Sequence, residues 1–184
     1  MLKSPIYRNS LRYKLAQKIL WLLFGVKEMY ISPWQHTAVG TGGLLFHNGK
    51  LLLGQRAAHT ASGGKFGVAG GYVDFEKGES PSEALVREAW EEAGIHLKPF
   101  TFDRDSIFHI DQVHDQFLEG EFDKFSRLDI TFIRLLDDSE IQGMRDTEEM
   151  ANWRFYTLPE VEDLHTQNIL ALDIDVVRAA FAAL

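Results

Sequence analysis

The order of patterns along this chain predicts an α/β fold, a mixed β-sheet enclosed between helices. Three observations carry that expectation. A hairpin signal sits near residue 48, a strongly capped amphipathic helix follows near residue 80, and alternating strand-like runs then lead to a closing helix. The 184 residues are enough for one domain with a real core and a short appendage.

Each element has its own warrant. From Asn9 to Phe24, Leu11, Leu15, Ile19 and Leu22 recur on one stripe at helical spacing, and "ISPWQ" ends the pattern. "HTAVGTGGLLFHNGKLLLGQRA" (36–57) reads as two strands around Asn48-Gly49, the dipeptide favoured in tight hairpins. "KFGVAGGYVDF" (65–75) is a strand interrupted by glycines, after a polar loop. In "SPSEALVREAWEEAG" (80–94), Ser80 suits the N-cap, Pro81 the first helical position, and Glu83 completes a capping box. Gly94 suits the helix end. "SIFHIDQVH" and "LDITFIRLL" read as strands joined by an acidic, aromatic excursion over 116–127. "NWRFYTL" is a further strand, in which Trp153 and Phe155 alternate with polar residues as core does. "PEVEDL" is a short helical turn and "DIDVVRAAFAAL" a closing amphipathic helix. The chain thus divides into a basic amphipathic helical extension, 1–35, and a main domain, 36–184.

Composition excludes several function classes. Apolar residues at 45% and charged residues at 25% describe an ordinary soluble globular protein. Cysteine is absent, which removes disulfides, thiolate metal sites and a cysteine nucleophile, and fits a cytoplasmic setting. A formal charge of −8 argues against a nucleic-acid binder. An anionic substrate remains compatible if a divalent cation supplies positive charge. Lys3, Arg8, Arg12, Lys14, Lys18 and Lys27 face only Glu28 within residues 1–28, so the acid is concentrated in the remainder. "ILWLLFGV" (19–26) is too short to span a bilayer, and no small-residue cleavage site follows it. The apolar stripe requires burial on its own domain, across a homodimer or at a membrane surface. The acidic remainder favours docking on protein, so membrane attachment is not the expected outcome.

The chemistry lies in "GESPSEALVREAWEEAGI" (78–95). Glu88, Glu91 and Glu92 fall on neighbouring positions of one helix, where like charges repel unless a cation stands among them. A solvated acidic face is the alternative. A glycine-rich strand and loop, "GVAGGYVDFEKGE", immediately precedes the helix and lets a ligand approach a main-chain carbonyl. Carboxylates and a carbonyl are the donors that Mg²⁺ or Mn²⁺ prefers. Arg87 is placed to bridge back to Glu79.

Residues 71–95 resemble the Nudix box, G-x5-E-x7-R-E-U-x-E-E-x-G-U with U a bulky apolar residue. Gly71, Glu79, Arg87-Glu88, Glu91-Glu92, Gly94 and Ile95 carry the resemblance. Seven residues instead of five separate Gly71 from Glu79, and Ala89 is small for its place. The resemblance implies a Nudix fold, an α/β/α sandwich with a mixed sheet. It further implies metal-dependent hydrolysis of a diphosphate linkage in a nucleoside diphosphate derivative, with Mg²⁺ or alternatively Mn²⁺ as cofactor. On matching positions it implies Glu88, Glu91, Glu92 and the Gly70 carbonyl as metal ligands, with Arg87 paired to Glu79. In the later segment it implies an acidic residue completing the site, here Glu149 or its neighbour Glu148, as general base or extra ligand. Arg56 stands where the family often places a substrate-side basic residue, though a surface arginine at a strand end reads equally well. The absence of cysteine argues against the isomerase branch of the fold. A non-catalytic nucleotide- or metabolite-binding protein is the alternative, disfavoured because all three box carboxylates are present. His109, Asp111 and His114 lack an established ligand spacing and read as structural or substrate-side. "GTGG" (40–43) lacks the Lys-Ser/Thr of a phosphate loop.

Overall fold

The structure, a computed structural model, describes residues 37–60, 62–114 and 126–184, with Leu15, Lys18, Ile19, Leu22 and Leu23 before them. Contacts divide the chain into two compact units, Met1–Thr37 with Asp115–Ser126, and Ala38–His114 with Arg127–Leu184. In the first, the five described early residues are helical, in keeping with the expected stripe; Leu11 lies outside the described residues, as does most of the 116–127 excursion.

The second unit carries the sheet. Its elements are β1 (Thr37–His47), β2 (Lys50–Arg56), β3 (Phe66–Gly67), β4 (Gly70–Tyr72), a 3-10 turn (Phe75–Lys77) and α1 (Pro81–Ala93). They continue with β5 (Ile107–His114), β6 (Ser126–Leu135), β7 (Met150–Tyr156), α2 (Leu158–Thr166) and α3 (Ile174–Ala182). The strand order is β3-β2-β1-β6-β5, with β4 added to β1 and β7 to β2. The β1–β2 hairpin turns through Asn48 and Gly49, both left-handed (φ 50° and 71°), which matches the twist of the flanking strands. β2 also pairs antiparallel with β7, from Leu51 opposite Tyr156 to Arg56 opposite Met150.

Two cores form because the sheet is covered on both faces. Side chains alternate along a strand, so Leu45 and Leu52 join Leu85, Ala89 and Ala93 of α1. Leu44, Phe46, Leu51 and Leu53 join Val161 and Leu164 of α2 and Val177 and Ala180 of α3. That double cover explains the unbroken apolar run Leu51-Leu52-Leu53, each at most 1% exposed. Burial of each such side chain stabilises the fold by roughly 1.5–3 kcal/mol. The layering is the expected α/β/α sandwich.

Two details differ from expectation. The broken strand 65–75 becomes two short strands and a 3-10 turn. The turn at "PEVEDL" is a full helix of nine residues, because Glu160 accepts hydrogen bonds from the Thr157 N–H and hydroxyl (both 2.8 Å) and so closes its first turn.

Candidate active site

Helix α1 is placed by its ends. Ser80 accepts from the Glu83 N–H while Glu83 accepts from the Ser80 N–H, and Pro81 opens the first turn. Gly94 closes the helix at φ 68°, its N–H returning to the carbonyls of Ala89 and Trp90. The buried face is made of small residues, Ala84, Ala89 and Ala93, with Leu85, and it ends in a carboxylate, Glu92. Ala89, small for its box position, is fully buried in the core between helix and sheet.

Glycines bring strand β4 against this helix. A Cβ on Gly71 would lie 2.2 Å from Glu88 Oε1, and one on Gly70 would lie 2.2 Å from the Thr41 carbonyl oxygen. Only glycine lets the two elements approach so closely. The Gly70 N–H then donates to Glu92 Oε2 at 2.9 Å. The backbone carbonyl of Glu92 accepts from Trp153 Nε1 (3.0 Å) and the Thr147 hydroxyl (3.3 Å). Trp153, expected as core, is core and also anchors the last turn of α1; neither this bond nor Thr147 was visible in sequence, because both depend on non-local packing.

Arg87 is the brace that the spacing predicts. Its Nε and Nη2 grip Glu79 Oε1 and Oε2 at 2.8 and 3.1 Å, a bidentate pair. Nη2 also reaches the Tyr72 carbonyl (3.0 Å), and Nη1 reaches Glu88 Oε1 (2.6 Å) and Glu91 Oε2 (2.9 Å). A guanidinium has five N–H donors, and these bonds use all of them. The two extra residues between Gly71 and Glu79 are absorbed by the 3-10 turn, which closes on left-handed Gly78. Asp74 N–H donates to Glu79 Oε2 (2.8 Å) and pairs with Lys77, so the longer loop still delivers Glu79 to Arg87.

The electrostatics follow from these contacts. Hydrogen bonding to Arg87 holds Glu79 below its ordinary value and raises Arg87 further. Burial pushes Glu88 up, against the opposing pull of Arg87. Burial pushes Glu92 up to about 7; the Gly70 N–H opposes the rise and the charges of Glu88 and Glu149 add to it. Arg56, at the end of β2, acts on Glu92 in the lowering sense. The adjacent Ala57 N–H donates to the Glu149 carbonyl at 2.8 Å, fixing that loop beside the strand end.

Glu88, Glu91, Glu92, Thr147, Glu148 and Glu149 line one cleft of about 310 Å³. The helix carboxylates and both later acids therefore meet, as the sequence suggested. His109 and Asp111 lie on β5, outside that lining, and "GTGG" lies within β1. Among the described residues no three acidic or histidine side chains converge into a ready-made metal cage. Arg87 holds Glu88 and Glu91, while Glu92 is turned to Gly70. The donor set still fits a hard divalent cation: it offers carboxylate oxygens, two of them on Glu88 and Glu92, whose ionised forms burial disfavours more than their present partners favour.

The NUDIX domain model matches residues 36–173. Among solved structures, the MutT protein of Methanosarcina mazei Go1 is similar at TM-score 0.58 and 20% identity, over 83% of this chain and 95% of that one. A bifunctional NMN adenylyltransferase/ADP ribose pyrophosphatase of Francisella tularensis, complexed with AMP and a Mn ion, gives 0.57 at 16% identity, over 94% of this chain and 46% of that one. The NUDIX domain of Shewanella oneidensis NrtR, complexed with ADP ribose, gives 0.54 at 16% identity, over 88% of this chain and 97% of that one. At such identities the likeness is one of fold. With the family pattern spanning most of its length, and the box residues gathered on this sheet and helix, the chain belongs to the NUDIX domain family.

Proposed function

We propose that this Nudix-type pyrophosphohydrolase cleaves the diphosphate linkage of a nucleoside diphosphate derivative and depends on a divalent cation, Mg²⁺ first and Mn²⁺ as a substitute. The observation that carries this reading is the acidic cleft, in which half-buried Glu88 and buried Glu92 carry raised pKa values opposite Glu149. Such a wall repels a diphosphate, and a divalent ion reverses the sign. Glu88, Glu91, Glu92 and the Gly70 carbonyl would hold the ion. When bound, it neutralises diphosphate oxygens and acidifies a water.

The protein's own residues divide the remaining work. Arg87 and Glu79 position the carboxylates of α1 and transfer no proton. Glu149 is the general base, taking the proton as the water oxygen attacks phosphorus and the P–O–P bond breaks. Its charge acts on both Glu88 and Glu92, which favours it over Glu148. Arg56, at the strand end beside Glu149, meets the anionic substrate. The AMP and ADP ribose held by two structural neighbours support a nucleotide-type ligand. The absence of cysteine supports a cytoplasmic setting.

The test is a panel of nucleoside diphosphate derivatives with Mg²⁺, Mn²⁺ and excess chelator. Turnover of at least one substrate, abolished by chelator and by Glu149→Gln, is the expected result. Tight nucleotide binding with no turnover under any cation would make the protein a binding module instead.

A further inference from the structure

Successive residues of β1 face opposite sides of the sheet, so Gly43 meets α1 while Gly40 and Gly42 share the side of Leu44 and Phe46. Packing demands two of these three glycines. A Cβ on Gly43 would stand 2.8 Å from Leu85, and one on Gly40 would run into Asp129 Oδ1. Gly42 has no such reason. Among the described residues a Cβ there would meet only a Val68 methyl, at 3.6 Å, and Gly42 is half-exposed. A bare glycine inside a strand often marks a place that a ligand or another backbone approaches. Tyr72 stands opposite Gly40 in the β1–β4 pairing, and its ring is exposed. The Tyr72 carbonyl accepts from Arg87 Nη2 at 3.0 Å, which ties this residue to the acidic cleft. From β6, Asp129 reaches over Gly40 and accepts from Arg127 Nε at 2.6 Å, and the Arg127 guanidinium lies 5.7 Å from the centre of the Tyr72 ring. Gly70, on the cleft side, pairs with Gly42 itself. All of these residues belong to the second unit.

We propose that this glycine-floored face is the nucleoside subsite, with a guanine-type base lying on Gly42 against the Tyr72 ring and donating N–H groups to Asp129. The inference rests on the hydrolase reading, which puts the diphosphate beside Gly70 and so brings the nucleoside onto the neighbouring strand. An aromatic ring beside a flat floor accepts the π-face of any base. An ionised carboxylate only accepts hydrogen bonds, so it selects an edge that presents donors. Guanine offers two adjacent ones, on N1 and N2, whereas uracil sets its single N–H between two carbonyl oxygens that the carboxylate repels.

The experiment is calorimetric binding of GMP, UMP and ribose 5-phosphate to the full-length protein with Mg²⁺, beside the turnover panel. GMP is expected to bind about tenfold more tightly than UMP or ribose 5-phosphate. Tyr72→Ala and Gly42→Val should each weaken GMP roughly tenfold, the loss of one stacked base, and weaken ribose 5-phosphate much less. Asp129→Asn should bring GMP down to the level of UMP. A merely structural role would lower all three ligands alike, and that outcome overturns the subsite. Wild-type protein that binds GMP no better than ribose 5-phosphate overturns it as well. Melting temperatures separate misfolding from lost recognition; if Gly42→Val unfolds, Tyr72→Ala, on an exposed side chain, still decides. Preferred GMP binding without turnover under any cation leaves the subsite standing and removes the hydrolase. Metal-dependent turnover with no preference for the base does the reverse.

Discussion

Burial places Glu92 where its own charge opposes folding. Its folded pKa is raised from 4.5 to about 7, so the protonated carboxyl is the form the fold prefers. The linkage then has one sign: stability is fullest below pH 4.5 and is lost as pH rises toward 7. At 1.36 kcal/mol per pKa unit the loss reaches at most ~3 kcal/mol. Glu92→Gln keeps the shape without the charge. Urea denaturation of the metal-free proteins should therefore find the variant more stable by roughly 1–3 kcal/mol at pH 8, with no advantage at pH 4. The same variant should lose at least about 100-fold in turnover. A second prediction concerns the brace. Arg87→Lys keeps the charge but loses the planar fork, and should cost about 10- to 100-fold in kcat, the range seen when partners that orient metal ligands are removed. Glu79→Gln should cost a similar factor, and the double variant little more, since both remove one network. Strictly additive losses would show that the two residues act separately.

Between elements, Gly70 and Gly71 make opposite predictions although they are neighbours. A methyl on Gly71 meets the far end of the Glu88 side chain, which can swing away. Gly71→Ala should fold nearly normally and lose activity, because Glu88 is displaced. A methyl on Gly70 meets the backbone of Thr41 and Gly42, which cannot move without breaking the β1–β4 pairing. Gly70→Ala should destabilise the protein by roughly 1–3 kcal/mol, readable as a lower melting temperature. The elements themselves were largely legible in sequence wherever their determinants are local. Asn48-Gly49 specifies its turn, and Ser80, Pro81, Glu83 and Gly94 mark both ends of α1 within the helix's own neighbourhood. The addition of β7 to β2 and of β4 to β1 was not legible, because each pairing joins residues far apart in the chain, such as Leu51 with Tyr156 and Gly40 with Tyr72. At the site, helical spacing brought Glu88, Glu91 and Glu92 together, yet it gave no sign that Glu92 faces inward. That orientation comes from Ala89 and Ala93, whose small side chains let the helix sink onto the sheet.

For the molecule as a whole, a net charge of −8 and an acidic cleft leave metal-free folding working against repulsion. A divalent ion that binds only the folded protein adds RT ln(1 + [L]/Kd), or about 2.7 kcal/mol at a hundredfold excess over Kd. For a chain of this size that is a rise of roughly 5–10 °C in melting temperature. Thermal unfolding with and without Mg²⁺ or Mn²⁺ at pH 8 should show it. The rise should shrink at pH 5.5, where Glu92 is protonated in the metal-free fold, and should be small in Glu92→Gln.

The single hydrogen bond from the Gly70 N–H to Glu92 gives this site an intrinsic spectroscopic probe. The amide's resonance depends on the carboxylate it faces, so a cation that draws Glu92 toward itself must change that environment before any substrate is present. In a proton–nitrogen correlation spectrum, the Gly70 cross-peak should move with Mg²⁺ and titrate with Glu92, while glycines remote from the cleft, such as Gly49 in the hairpin turn, keep their positions. A Gly70 cross-peak that stays fixed while the melting temperature rises would locate the ion elsewhere on the protein.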